Sequence, residues 1–254
     1  MIINETKGDT EILLSKSTRD KIMSAKIPVN CGINNTPSTS YVVGKPGSGK
    51  THYVESLLKS QYRNSKSGIT TCFDSVFVVS PASSQDSYSN SFVKDCDPEK
   101  VYDTLNYNNL ADIYEGIKET HDLSDKDNNF FSLLILDDVA TELREKNVQK
   151  LLLRLLRNHR HLSLTIIIIS QNYMALEKNS RDNIQCLVQF STNNIKEKER
   201  IRIEYLGHLK QKEFEVLWEY LFKEKYQFLM VDRKHDTIHK TFNPLNITGI
   251  EKEI

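Results

Sequence analysis

Apolar residues in this chain fall into short unbroken runs set between long polar stretches. SYVVG at 40–44, SVFVVS at 75–80, SLLILDD at 132–138, LTIIIIS at 164–170 and CLVQF at 186–190 are rich in β-branched residues. They are continuous rather than alternating, which predicts strands covered on both faces, as in a parallel sheet. The intervening segments have helical spacing. Tyr53, Val54, Leu57 and Leu58 predict a helix over 51–62, and Leu151, Leu152, Leu155 and Leu156 line one face of a second, in NVQKLLLRLLRNHRH. A further helix is expected near 109–119 in a region of loops from 81 to 130. The charged segment 196–225 reads as helical, and YQFLMVD with TIHKTF as a terminal strand or hairpin. Strands alternating with helices give an α/β fold, a mainly parallel central sheet with helices on both faces. The expected organisation is an amino-terminal extension over 1–38, a core over 39–195, and a carboxy-terminal segment over 196–254 that packs on the core.

Charge and cysteine content narrow the function without naming it. Lys plus Arg (34) equal Asp plus Glu (34), so nucleic-acid contact must come from a local patch rather than a global field. Cys31, Cys72, Cys96 and Cys186 are too scattered for a zinc or redox motif, and predict reduced thiols. The start, MIINETKGDTEILLSKS, mixes acidic with apolar residues, so neither a signal peptide nor a membrane span is expected. These features predict a soluble intracellular protein.

Strand SYVVG breaks into glycines before the first helix. Gly44, Lys45, Pro46, Gly47, Ser48, Gly49, Lys50 and Thr51 fit G-x-x-x-x-G-K-[ST] at every fixed position. Side chains would obstruct phosphates there; glycines let consecutive backbone amides surround them, with the helix amino terminus adding its dipole. Lys50 is predicted to reach the β- and γ-phosphates of ATP, Thr51 to hold Mg2+, and His52 to complete the nucleotide-binding run. In LLILDD, Asp137 emerges at the end of a buried strand as a second magnesium ligand, and Asp138 is placed to orient the attacking water. An acidic residue after the strand-end aspartate suits the P-loop division with an extra strand between the two motifs. That strand is LTIIIIS, whose end places Gln171 as a sensor of γ-phosphate or water. No Asn-Lys-x-Asp motif follows, which argues against a GTPase.

With these pieces in order, the chain resembles the poxvirus-type genome-packaging ATPases of the FtsK-HerA superfamily, found across large DNA viruses and virophages. The likeness runs from about residue 40 to 242 through GKPGSGKT, VFVVSP, LLILDDV, LLRNHRHLSLTIIIISQNY, RDNIQCLVQF and YQFLMVD. It implies a RecA-like P-loop ATPase that packages double-stranded DNA into a preformed capsid. Expected partners are that DNA, capsid or portal-vertex proteins and further copies in a pentameric or hexameric ring, with no membrane. Expected locations are the assembly site in the host cytoplasm and the virion. The resemblance also implies a trans-acting arginine ahead of the fourth strand. Arg160 holds that position, with Arg157 as local competitor and Arg181 as a second finger or nucleotide contact. Cellular members generally carry glutamate where this chain has Asp138, and they have large extra domains; any capsid docking here falls to 1–38 and 196–254.

Two rival readings share these motifs: a helicase-loader-like replication ATPase, and a nucleotide-gated assembly protein with little hydrolysis. The polar stretch 83–90 with Lys94 is a candidate DNA-contacting loop, although a solvated loop is the simpler reading. His159 and His161 are poorly spaced for metal ligation.

Overall fold

The structure, a computed structural model, describes residues 2–5, 12–13, 24–25, 37–61, 73–81, 96–124 and 130–248. The expected parallel strands are β4 (Thr39–Val43), β5 (Ser75–Val79), β7 (Ser132–Asp137), β8 (Leu164–Ser170) and β9 (Cys186–Phe190), each buried throughout. A two-residue β6 (Val101–Tyr102) adds a parallel edge. Beyond β9 the sheet turns antiparallel through β10 (Phe228–Asp232), β11 (Thr237–Lys240), β12 (Asn243–Thr248) and β1 (Ile2–Glu5). Among the described residues these ten strands form one sheet in the order β1-β12-β11-β10-β9-β4-β8-β7-β5-β6. Two residues each of β2 (Ile12–Leu13) and β3 (Ser24–Ala25) pair separately. The terminal segment is therefore more than a hairpin, because β12 and β1 extend it.

Burial on both faces explains the unbroken apolar runs. On one face Val42, Val76, Val78, Leu133, Ile135, Ile167 and Ile169 pack under α1 (Lys50–Gln61), which contributes Tyr53, Val54, Leu57 and Leu58. On the other, Tyr41, Val43, Leu134, Leu136, Ile166 and Ile168 meet α2 (Tyr107–Asp122) and α3 (Lys146–Asn158). After the short α4 (Lys178–Arg181), α5 (Ile195–Tyr205) and α6 (Gln211–Leu221) complete that layer through Ile201, Phe214, Leu217, Trp218 and Leu221. The face predicted for α3 is present, with Val148, Leu152, Leu155 and Leu156 buried and Leu151 half-buried. Asn106 starts α2 by accepting a hydrogen bond from the Asn109 N–H at 2.9 Å, satisfying one amide of the first turn. The predicted DNA-contacting stretch 83–90 and Lys94 lies outside the described residues.

At the end of α3 the chain buries His159. Its Nδ1 lies 2.7 Å from the Leu156 carbonyl, which can only accept, so Nδ1 carries the hydrogen. The other ring nitrogen is buried without a hydrogen-bond partner among the described residues. Burial pushes this imidazole below its ordinary pKa, and Arg160 and His161 act in the same direction against the Leu156 hydrogen bond. Because the unfolded chain takes up the proton more readily, stability is lost as pH falls from about 6.5 through the lower folded value. An NMR titration of His159 is expected to give a pKa below 6.5, with the melting temperature declining over the same range. Titration at or above the free imidazole value would contradict this assignment.

Candidate nucleotide site

The central strand delivers the glycine loop. Val43, the last residue of β4, pairs with Ser170 on one side and Gln189 on the other. The Gly44 N–H donates to the Ser170 carbonyl at 3.1 Å, tying the loop's entry to the end of β8. No side chain fits at Gly44, since a Cβ there would lie 2.6 Å from Ser48 Oγ and 2.7 Å from Phe190 Cβ. Gly47 (φ +71°) and Gly49 (φ +101°) take the left-handed turns that wrap the loop, and a Cβ on Gly47 would face open space. The Tyr53 N–H donates to the Gly49 carbonyl at 2.8 Å as α1 begins. Lys50 Nζ donates to the Lys45 carbonyl at 3.1 Å, so the ammonium folds back over the loop.

The acidic residues arrive from the neighbouring strands. Because β8 pairs in parallel with both β4 and β7, the ends of all three lie side by side. Asp137 closes β7 and is only 6% exposed. Asp138 follows in the left-handed region (φ +53°), its N–H donating to the Ile169 carbonyl at 3.3 Å. The exposed Gln171 comes one residue after β8, and its Nε2 donates to Asp138 Oδ1 at 2.8 Å. Burial lowers the pKa of Lys50, while the negative charges of Asp137 and Asp138 oppose that shift. The structure thus brings Lys50, Asp137, Asp138 and Gln171 to one end of the sheet, with Thr51 and the exposed His52 in the first turn of α1.

This donor set suits a phosphate chain and a hard cation. Exposed Lys45, Pro46 and Gly47 and half-buried Ser48 and Gly49 leave the outer curve of the loop open beside the α1 amino terminus. Among the described residues, no group of three or more His, Cys, Asp and Glu is placed to hold a metal. A hydroxyl from Thr51 and a carboxylate from Asp137 fit magnesium, which keeps waters and substrate phosphates as its remaining ligands.

The arginines separate into two classes. Arg160 is exposed in the turn before β8, and Arg157 is exposed in the last turn of α3. The phosphate loop adjoins the carboxyl end of β8, so Arg160 lies about 20 Å away at roughly 3.3 Å per strand residue. Arg181 was expected as a finger or nucleotide contact, and the structure places it otherwise. Its Nε and Nη2 donate to Glu204 Oε2 and Oε1 at 2.9 and 2.8 Å, Nη1 donates to the Leu176 carbonyl, and the guanidinium lies over the Tyr173 ring. Both partners of this pair are buried, so the Arg181 guanidinium is engaged by Glu204 rather than presented to solvent.

Sequence reasoning also missed the residues that fix the segment following Gln171. Glu204 accepts from the Tyr173 hydroxyl at 2.6 Å, while Glu197 accepts from the Tyr173 N–H at 3.0 Å and from Thr192 Oγ1 at 2.9 Å. Burial alone would raise the pKa of Glu204; hydrogen bonds from Arg181 and Tyr173 reverse the sign and hold it below the ordinary carboxylate value. Glu197 and Glu204 are seven residues apart on α5, a spacing that returns to one helix face. That pattern was a usable signal. The other charges of α5 serve as surface charge: Arg202 pairs with Glu199 at 2.8 Å, and Lys198 lies over Trp218.

Residues 32–215 match the family model described as Poxvirus A32 protein. No curated protein matches the chain in sequence. Among solved structures, B204, the DNA-packaging ATPase from Sulfolobus turreted icosahedral virus, aligns with a TM-score of 0.61 at 17% identity, covering 82% of this chain and 98% of that one. B204, the genome packaging NTPase from Sulfolobus turreted icosahedral virus 2, in complex with AMP, gives 0.56 at 19% identity, with coverages of 82% and 98%. The same protein with AMPPCP gives 0.52 at 19% identity, again covering 82% and 98%. At these identities the likeness establishes the fold, that of a P-loop ATPase.

Removing one partner of a buried pair leaves an uncompensated charge, so Arg181→Ala should destabilise the protein by about 3 kcal/mol or more in urea unfolding. Its folded fraction should bind nucleotide as the parent does. Unchanged stability with a large loss of affinity would return Arg181 to the nucleotide site.

Proposed function

The chain belongs to the poxvirus A32 protein family, and from that premise we propose that it is an ATP-driven motor that moves double-stranded DNA into a preformed capsid. The observation that carries this reading is the convergence of the phosphate loop, Asp137, Asp138 and Gln171 at adjacent strand ends, with Gln171 Nε2 bonded to Asp138 Oδ1 at 2.8 Å.

Backbone amides of residues 44–51 and the Lys50 ammonium hold the β- and γ-phosphates of ATP. Thr51 and Asp137 would hold magnesium, which supplies charge neutralisation at those oxygens. Asp138 accepts the proton of the attacking water, and Gln171 fixes the direction of the Asp138 carboxylate. Water oxygen bonds to the γ-phosphorus as its bond to the β–γ bridging oxygen breaks, leaving ADP and phosphate.

Arg160 stands too far from its own loop to serve it, and its exposure suits a neighbour instead. In a ring, this guanidinium completes the adjoining subunit's site and stabilises the transition state, an effect on the order of 10³-fold or more where such fingers operate. The hydrolysis step then moves DNA-contacting loops along the phosphate backbone. Residues 39–195 form the ATPase core, and 1–38 with 196–254 supply the capsid-facing surface. Among the described residues no helix is long and apolar enough to cross a membrane.

Steady-state turnover should rise on adding duplex DNA, and Lys50→Ala should reduce it about a hundredfold or more. Tight ATP binding with negligible turnover in the presence of DNA would instead support a nucleotide-gated assembly protein. Arg160→Ala and Asp138→Asn subunits, each inactive alone, should regain activity when mixed, because one interface in the mixed ring then holds an intact Asp138 and an intact Arg160. Stable mixed rings without recovery would contradict the shared site.

A further inference from the structure

Strand order fixes on which side of the phosphate loop a nucleoside must lie. Asp137, Asp138 and Gln171 occupy the ends of β7 and β8, on one flank of β4. The cleavable end of a phosphate chain is drawn to that flank, where the catalytic groups are. The α-phosphate and its nucleoside therefore extend over the opposite flank, above the ends of β9 and β10.

Two aromatic rings line the loop on that flank. Phe190, the last residue of β9, is buried, with Cε1 3.6 Å from where a Cβ on Gly49 would stand. Tyr226, two residues before β10, has Cδ1 3.5 Å from the same point. Phe190 is joined to the core through Phe228, at 5.3 Å between ring centroids. Tyr226 is different: it is 68% exposed, a large aromatic left in water beside the phosphate loop. Its backbone sits at φ +66°, a region that bulky residues rarely adopt. The turn is held by neighbours, with the Glu224 N–H donating to Gln227 Oε1 at 3.1 Å and Gln227 Nε2 donating to Glu224 Oε2 at 3.4 Å. An exposed ring contributes little to the core, yet this one is presented where the flat face of a nucleobase would pass.

We propose that Tyr226 stacks on the nucleobase of the bound nucleotide and is a specificity-determining residue of the site. The proposal rests on the nucleotide reading above and adds the nucleoside half of the contact. Stacking on a π face supplies affinity without hydrogen-bond discrimination, so Tyr226 favours nucleotides over inorganic polyphosphate rather than one base over another.

The test is calorimetric titration of the full chain with ADP and, separately, with inorganic tripolyphosphate, for the parent, Tyr226→Ala and Tyr226→Phe. Tyr226→Ala should weaken ADP binding about tenfold, as loss of a base-stacking aromatic does elsewhere. Tyr226→Phe should stay within about twofold of the parent, since the ring is kept, and tripolyphosphate should bind all three alike. If the parent binds both ligands and Tyr226→Ala binds ADP as tightly, the stacking role fails while the nucleotide site stands. Equal losses for ADP and tripolyphosphate in Tyr226→Ala would mean a distorted loop and would also overturn the role. A parent that binds neither ligand removes the nucleotide reading, and this proposal with it.

Discussion

The parallel pairing of β8 with both β4 and β7 is the constraint on which the site depends. Ladder hydrogen bonds fix the relative height of the three strands, with Val43 level with Ser170 and Asp137 level with Ile169. Each strand then releases its chain at the same edge: a glycine loop from β4, a carboxamide from β8, two carboxylates from β7. Their register also sets the far edge, where the turn before β8 leaves Arg160 in solvent. A slip of one residue in β8 would turn every side chain to the opposite face of the sheet and move Gln171 away from Asp138. The apolar packing of Ile166 and Ile168 on one face and Ile167 and Ile169 on the other resists that slip.

A second layer of constraint comes from α5. Glu197 and Glu204 reach across to Tyr173, two residues beyond Gln171, and Arg181 neutralises the buried charge of Glu204. The segment that follows Gln171 is thereby attached at one end to β8 and at the other to α5. A backbone shift of Tyr173 would have to be shared with α5 or break these hydrogen bonds. These contacts tie the strand end at the candidate site to the helix layer on one face of the sheet.

The strands buried on both faces were legible in sequence to within a residue, because such strands leave unbroken apolar runs. The placement of the glycine loop, Asp137, Asp138 and Gln171 at adjacent strand ends was equally legible, being set by short motifs. Of the antiparallel extension, β10 and β11 fall in YQFLMVD and TIHKTF, which read as a terminal strand or hairpin, while β12 and β1 were not foreseen. β12 carries Pro244, which removes a ladder donor and weakens the strand pattern. β1 forms only by pairing with β12 at the other end of the chain, a contact that local pattern cannot encode. Arg181 was misread for the same reason. Its partner lies 23 residues away on another helix, so sequence shows an arginine near the nucleotide strands and not the carboxylate that claims it.

The central claim is that each ATP site is shared, with the phosphate loop from one subunit and Arg160 from the next. The most direct measurement is cryogenic imaging of the protein with a non-hydrolysable ATP analogue and duplex DNA. The account predicts a closed ring around the duplex, nucleotide on residues 44–51, and the neighbour's guanidinium at the γ-phosphate. Nucleotide bound to isolated monomers, or rings in which Arg160 faces away from every nucleotide, would contradict it.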